Sequence, residues 1–310
     1  MTEDVSLALI GECMIELRET HGESVTRGYG GDVLNTAIYL ARLMRNKADI
    51  RFTTLLGDDP FSAEMVSEWK REGILCDTVG YLAGHNAGLY FVTTNKTGER
   101  SFHYWRNQSA ARHIMSAHFS ALLESAMSSN WIYISGITLA ILNEDADREH
   151  LLNDLEQAKS NGSHIIFDGN FRPSLWRNKR SAKDWHTRAW RVCNIALAGA
   201  EDEAGLFGDM TEKESLKRLK SYEIPEICLK NGPHPLLLST GPETQVVKIE
   251  PITDILDTTA AGDSFNAGYI AARLQNKSPI QAAQSAAVLA GEVIRHPGAI
   301  IPQRHMPKGL

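Results

Sequence analysis

The sequence predicts an α/β fold: a mostly parallel sheet flanked by helices on both faces, with a small β lid. Three observations carry this. Short apolar runs alternate with amphipathic segments along most of the chain, the pattern of a parallel sheet covered on both sides. The amphipathic segments have chemically marked ends. One stretch, 86–106, breaks the alternation with two β-rich runs around a turn.

Strand-length apolar runs fall at 5–11, 50–56, 131–137, 164–168, 192–198 and 226–230. After the first comes Gly28-Tyr29-Gly30-Gly31-Asp32-Val33-Leu34-Asn35, which opens a helix carrying Ala37, Ile38, Leu40, Ala41 and Met44. Helix 60–72 is closed by Gly73, and helix 144–161 by Gly162. The 86–106 hairpin turns at Asn95-Lys96-Thr97-Gly98. Its polar aromatics and arginine, Tyr90, His103, Tyr104, Trp105 and Arg106, suit a lid that touches substrate at the carboxyl ends of the strands. The same composition also fits a purely structural edge hairpin. Residues 172–191 hold seven basic residues and one acidic, with Trp176, Trp185 and Trp190 interleaved, which reads as a solvated helix with its aromatics packed inward. Thr211-x-x-Glu214 opens helix 211–220, and Ser278-Pro279 opens an alanine-rich helix reaching about residue 295.

Composition excludes several classes. A formal net charge of -6 over 310 residues gives no general attraction to nucleic acid or to anionic membrane. The N-terminus lacks the basic region of a secretory signal, and no apolar run approaches the ~18 residues of a membrane span. Cys13, Cys76, Cys193 and Cys228 are isolated and form no CxxC pair, so neither a zinc cluster nor a disulfide framework is expected and a cytoplasmic setting fits best. His113 and His118 lack metal-ligand spacing and read as surface or packing residues.

The most informative segment is Asp257-Thr258-Thr259-Ala260-Ala261-Gly262-Asp263-Ser264-Phe265. Small residues before an apolar helical run make a tight, glycine-closed turn at a helix start, where unpaired N–H groups and the helix dipole attract an anion. A carboxylate beside an anion is unfavourable unless it has a task, and taking a proton from a hydroxyl that attacks a phosphoryl group is one. The bland alternative is an ordinary helix start capped by Asp263. At the other end of the chain, Gly30 and Gly31 let backbone approach a ligand, while Asp32 and Asn35 offer short polar groups for sugar hydroxyls. Neither GxGxxG nor GxxxxGK[ST] occurs, so ATP would be bound without a Walker loop.

With the Gly31-Asp32-x-x-Asn35 region, Asp168-x-Asn170-x-Arg172 and the 257–265 segment in this order, the chain resembles the ribokinase-like (PfkB) carbohydrate kinases over essentially its whole length. The runs at 11–17, 97–100, 104–107 and 298–302 resemble the 2-keto-3-deoxygluconate kinase branch. The resemblance implies one ribokinase-like domain over 1–310, with lid parts at 12–30 and 86–107. It implies that Asp263 is the catalytic base and that the amides of Ala260, Ala261 and Gly262 form the anion hole. Gly30, Gly31, Asp32 and Asn35 match the sugar segment, and Tyr90, Tyr104, Arg106 and Arg172 the acid-sugar pocket. Two guanidinium groups and two phenols are what a 2-keto acid requires, since arginine binds carboxylate bidentately and phenols donate to keto or hydroxyl oxygens. From the residue alone, Arg106 reads equally well as exposed lid surface.

For the nucleotide, Asn170, Arg172, Lys230, Gly232 and Gly298 match the ATP segments, together with Ala260 and Gly262. Magnesium is implied by the ATP phosphates, and Asp257 and Thr259, with Gly298, match a monovalent-cation (K+) site. The implied reaction is transfer of the ATP γ-phosphate to the 6-hydroxyl of 2-keto-3-deoxygluconate, by a homo-oligomer. A fructokinase of the same family and an inactive sugar-binding regulator are the alternatives. One departure stands out: the family's Asn-x-x-Glu is here Gly199-Ala200-Glu201-Asp202, so the Asn is missing and the acid is shortened or displaced to Glu201.

Overall fold

A computed structural model of the chain describes residues 5–19, 24–94 and 100–310. The turn expected at 95–98 and most of the 97–100 run lie outside those residues. Strand β1 (Val5–Ile10) shows the logic of the whole: Leu7 and Leu9 enter one apolar cluster and Ile10 enters another, so both faces of the strand are buried. The chain then forms β2 (Met14–Glu19) and β3 (Val25–Gly30), α1 (Asp32–Leu43), β4 (Ala48–Gly57), α2 (Pro60–Glu72), β5 (Val79–Leu82), and the hairpin β6 (Gly88–Thr94) and β7 (Arg100–Trp105). Next come α3 (Ser120–Met127), β8 (Trp131–Ser135), α4 (Gly136–Ile141), α5 (Asp145–Ser160), β9 (His164–Asp168), α6 (Lys179–Val192) and β10 (Ile195–Gly199). The last third contributes α7 (Ala200–Phe207), α8 (Glu212–Lys220), β11 (Glu226–Lys230), β12 (Leu236–Thr240), β13 (Glu243–Val247), α9 (Ala261–Leu274) and α10 (Pro279–Val293).

Among the described residues these strands form two sheets. The large one has the order β13-β12-β11-β10-β9-β8-β1-β4-β5, parallel except for β12 and β13. The chain leaves β1 toward β4 and later returns to its other side with β8, so the strand order reverses at β1. Ligands of open α/β sheets bind at the carboxyl ends beside such a reversal. One apolar cluster gathers side chains of α1, α2, α9 and α10, and the other those of α3 to α8. Helices α9 and α10 approach closely because a Cβ on Gly268 would stand 2.8 Å from the Ala286 Cα. The small sheet, order β3-β2-β6-β7, joins the hairpin to the strand pair after β1. It is the lid.

Marked ends held well. Asp59 caps α2, accepting from the Phe61 and Ser62 amides, and Gly73 closes it at φ 89°. Thr211 caps α8, but the carboxylate of Glu214 takes the Met210 amide at 2.7 Å, one residue upstream of the expected reciprocal bond. Strand boundaries differ from expectation most clearly at β8 and β10. Residues 136 and 137 start α4, because Ser135 and Thr138 form a capping box, and Val192 ends α6. Gly28 to Gly30 are the last residues of a strand, β3, whose polar, glycine-rich sequence hid it. Buried Trp185 and Trp190 line the inner side of α6, as their spacing implied. Among the described residues no helix is long and apolar enough to cross a membrane.

Candidate active site

The segment 257–265 folds into a turn followed by α9, with a local conformation unlike the glycine-closed turn expected. The positive φ falls on Ala260, at φ 60° and ψ 17°, while Gly262 is already helical. An alanine in the left-handed region costs ~1–2 kcal/mol and persists where surrounding structure enforces it. Enforcement comes from Asp257, which is buried. Its carboxylate accepts from the Thr259 amide at 3.0 Å, the Thr259 hydroxyl at 2.7 Å and the Gly298 amide at 2.5 Å. A Cβ on Gly262 would face open space, so this glycine keeps the helix mouth clear. The Ala261 N–H donates to the Thr258 carbonyl at 3.2 Å, so its share in an anion hole needs a bifurcated bond or a shift of the turn.

Asp263 stands in the first turn of α9 and is not a cap. Its Oδ2 accepts from the Asn35 side chain at 2.8 Å, and its carbonyl accepts from the Thr36 hydroxyl at 3.3 Å, which ties α9 to α1. Burial pushes its carboxyl up to about 8, the nearby Asp32 and Asp168 carboxylates add to the shift, and Asn35 and Lys230 oppose it. Asp32, the first residue of α1, accepts from the Asn170 side chain at 2.7 Å. It too is raised by burial and by Asp168. Asp168, at the carboxyl end of β9, pairs with Lys230 at 3.1 Å, and the same ammonium reaches Asn266 at 2.8 Å. Tyr133 closes this network, donating to Asp168 at 3.4 Å and accepting from Asn266 at 3.1 Å. Three carboxylates thus lie close together with one lysine paired to Asp168, and such like-charge crowding with desolvation is how a protein raises a carboxyl toward the range of a general base at neutral pH.

On the lid side, Arg106 is buried rather than exposed, and it pairs with the buried Glu12, which also accepts from the Ser109 hydroxyl at 2.5 Å. The Arg106 Nε is buried without a hydrogen-bond partner among the described residues. Tyr104 is half exposed, with the Arg106 guanidinium 5.8 Å from its ring centre and the Tyr90 ring 5.9 Å away. Tyr90 donates to Glu16 and is buried, so its phenol is already engaged. Close packing by itself requires both members of the glycine pair. A Cβ on Gly30 would lie 2.2 Å from the Tyr90 hydroxyl, and one on Gly31 2.2 Å from the Glu12 carbonyl. These glycines admit the chain's own lid and backbone; Gly31, unlike Gly30, also borders the cavity.

On the opposite side Arg172 is exposed and meets Asp202 of α7 at 3.3 Å. Burial raises the Asp202 carboxyl, with Arg172 opposing. Of the two acids in the departing motif, Asp202 is therefore the one facing Arg172. Asn170 holds Asp32 from a left-handed backbone at φ 29°. Gly232 and Gly298 also take positive φ, 54° and 87°, in the loops after β11 and α10. One cavity of about 1000 Å³ is lined by all the expected site residues except Gly30, Asp257 and Gly298.

A cavity at the strand-order reversal with a helix start, a raised carboxylate and a lid on one rim is the arrangement expected of a sugar kinase, and homology decides it. Residues 5–306 match the pfkB family carbohydrate kinases. The chain belongs to this family. It is 41% identical over 307 residues to the 2-dehydro-3-deoxygluconokinase of Dickeya dadantii (strain 3937), covering 97% of this chain and 98% of that one. It is 39% identical, with the same coverage, to the enzyme of that name from Escherichia coli (strain K12). Among solved structures, a 2-dehydro-3-deoxygluconokinase from Thermotoga maritima superposes with a TM-score of 0.82 at 21% identity, covering 96% of this chain and 95% of that one. A fructokinase with bound ATP from Xylella fastidiosa gives 0.83 at 20%, covering 97% and 95%. These structures establish the ribokinase-like fold.

Sequence reasoning missed three residues in this pfkB site. Glu12 lies within the run at 11–17 but had no assigned role, because its importance comes from Arg106, 94 positions away. Tyr133 and Asn266 were invisible as well. Each sits in an apolar element, and an isolated polar residue on the buried face of a strand or helix is the signal that points to them.

Proposed function

We propose that this chain transfers the γ-phosphate of ATP to the 6-hydroxyl of 2-keto-3-deoxygluconate, giving the 6-phosphate. The observation that carries it is the position of Asp263 at the mouth of α9, in one cavity with Arg106, Tyr104 and Arg172. The names of the relatives at 39–41% identity agree with it. In this reading Asp263 accepts the proton of the attacking hydroxyl, and Asn35 aims its carboxylate. The backbone amides at the start of α9, with its dipole, stabilise the charge on the transferring phosphoryl group, for which one such donor is worth on the order of 3 kcal/mol. Lys230 and Arg172 flank the phosphate path. The sugar's carboxylate meets Arg106 beneath Tyr104, where the unpartnered Nε is a donor in want of an acceptor.

ATP brings magnesium, which neutralises phosphate charge and orients the transfer. Glu201 and Asp202 border the cavity as oxygen donors, and a partly buried carboxyl with raised proton affinity fits a cation as neighbour. These two would hold it in place of the family's Asn-x-x-Glu. The monovalent cation at Asp257 and Thr259 fits less well, since both Asp257 oxygens already serve donors of the chain. We also propose a cytoplasmic setting, consistent with four free thiols, and a homo-oligomer.

The test is ADP release with magnesium and a panel of acid and neutral sugars. Turnover of 2-keto-3-deoxygluconate should exceed that of fructose, and Asp263→Asn should bind both substrates while losing roughly 10²- to 10⁴-fold in kcat. A preference for fructose would move the chain to its distant relatives, such as the fructokinase of Vibrio alginolyticus, 23% identical over 261 residues.

A further inference from the structure

Behind the wall of the nucleotide side, outside the cavity, three metal-binding side chains converge. Glu292 in the last turn of α10, His296 just after it and His305 in the short 3-10 turn Gln303–His305 place ligand atoms all within 4.8 Å of one another. His296 Nε2 lies 2.8 Å from Glu292 Oε1, and the two imidazole rings are 4.4 Å apart. All three are partly buried, so the group is shielded yet reachable.

We propose that Glu292, His296 and His305 form a binding site for a divalent transition metal of the zinc class. Two imidazoles and one carboxylate are a borderline-soft donor set that suits zinc, cobalt or nickel and leaves a position for water. The location adds to it, because the last carbonyls of α10 carry the negative end of the helix dipole. Two cations lie nearby. Arg295 is engaged by Asp254 at 3.0 Å and lies 3.5 Å from Glu292, while the exposed Arg304 donates to His305 Nε2 at 3.2 Å. A metal taking His305 Nε2 displaces Arg304, and solvent is open to receive it.

The site would act as a staple. The segment between His296 and His305 includes Gly298, whose amide holds Asp257, and the Ile294 carbonyl accepts the Leu256 and Asp257 amides at 2.8 and 3.1 Å. Ala299 and Ile301 in turn bond the Tyr39 hydroxyl of α1. A metal bridging α10 to residue 305 therefore fixes the loop that supports the strained turn at Ala260.

The experiment is titration of the chelator-treated, nucleotide-free protein with Co2+, followed by visible absorption, with Zn2+ as competitor and melting temperature as a second readout. The expected result is an intense ligand-field band of stoichiometric, low-symmetry Co2+ that Zn2+ abolishes, and a melting temperature raised by either metal. His305→Gln and Glu292→Gln should each lose the band and the shift. His113→Gln, which alters the separate His85–His113 pair with rings 5.0 Å apart, should keep both. Absence of the band in the wild-type protein, or its persistence in both the His305 and Glu292 variants, overturns the proposal. Circular dichroism and retained kinase turnover check that the variants are folded.

Discussion

Asp263 holds its proton more tightly than a solvent-exposed carboxylate because it is partly buried beside Asp32 and Asp168, and the proposed base works only once that proton has left. With the carboxyl pushed up to about 8 in the ligand-free chain, kcat/KM should rise with pH along an acidic limb reporting this group. Asp32→Asn removes a neighbouring negative charge and should move the limb to lower pH. Asn35→Ala removes a hydrogen bond that favours the charged form, so the limb should move to higher pH. Shifts of the same sign in pH profiles of the two variants would mean another group controls the limb. Arg106 is equally dependent on its surroundings. Arg106→Ala leaves Glu12 charged, buried and unpaired, which costs ~3–5 kcal/mol, readable in urea denaturation. Adding Glu12→Gln should restore most of that stability while the KM for the acid sugar stays high, separating support of the fold from recognition.

At the scale of elements, the turn before α9 stores strain that the Asp257 strut maintains. Ala260→Gly relieves the left-handed penalty but adds freedom to the unfolded chain, leaving a net gain of roughly 0.5–1 kcal/mol. The denaturation midpoint should rise accordingly, and an unchanged or lower midpoint would show that the methyl group contributes packing that outweighs its strain. The glycines of β3 and α1 illustrate the converse. Their small size serves close packing within and beneath the small sheet, where Gly30 admits the Tyr90 hydroxyl and Gly31 the Glu12 carbonyl.

Across the whole molecule, the two apolar clusters account for the sheet and its helices but leave the lid thinly covered. Val25, Phe102, Tyr104 and Trp105 are all large apolar or aromatic residues that remain exposed, Trp105 at 63%. Phe102 and Tyr104 border the cavity and await substrate, whereas Trp105, by the alternation of β7, belongs to the other face. A second copy covering that face would account for it. Sedimentation should detect an oligomer, and Trp105→Ser should shift it toward monomer; a wild-type monomer at all concentrations would remove this reading.

Local chemistry was enough for the α/β alternation, the ends of α2, α5, α8 and α10, the hairpin and the motif at 257–265, because caps, periodicity and small-residue turns act over a few residues. The resemblance built on three such motifs also named the family. What the tertiary structure alone decided lies between distant positions. Arg106 became a buried partner of Glu12 instead of a surface residue, the left-handed residue became Ala260 instead of a glycine, and Gly30 and Gly31 were found to admit the Tyr90 hydroxyl and the Glu12 carbonyl. Each depends on burial and on neighbours brought together by the sheet. A side chain's charge, strain and reach are set by its surroundings in space, and a sequence orders residues only along the chain.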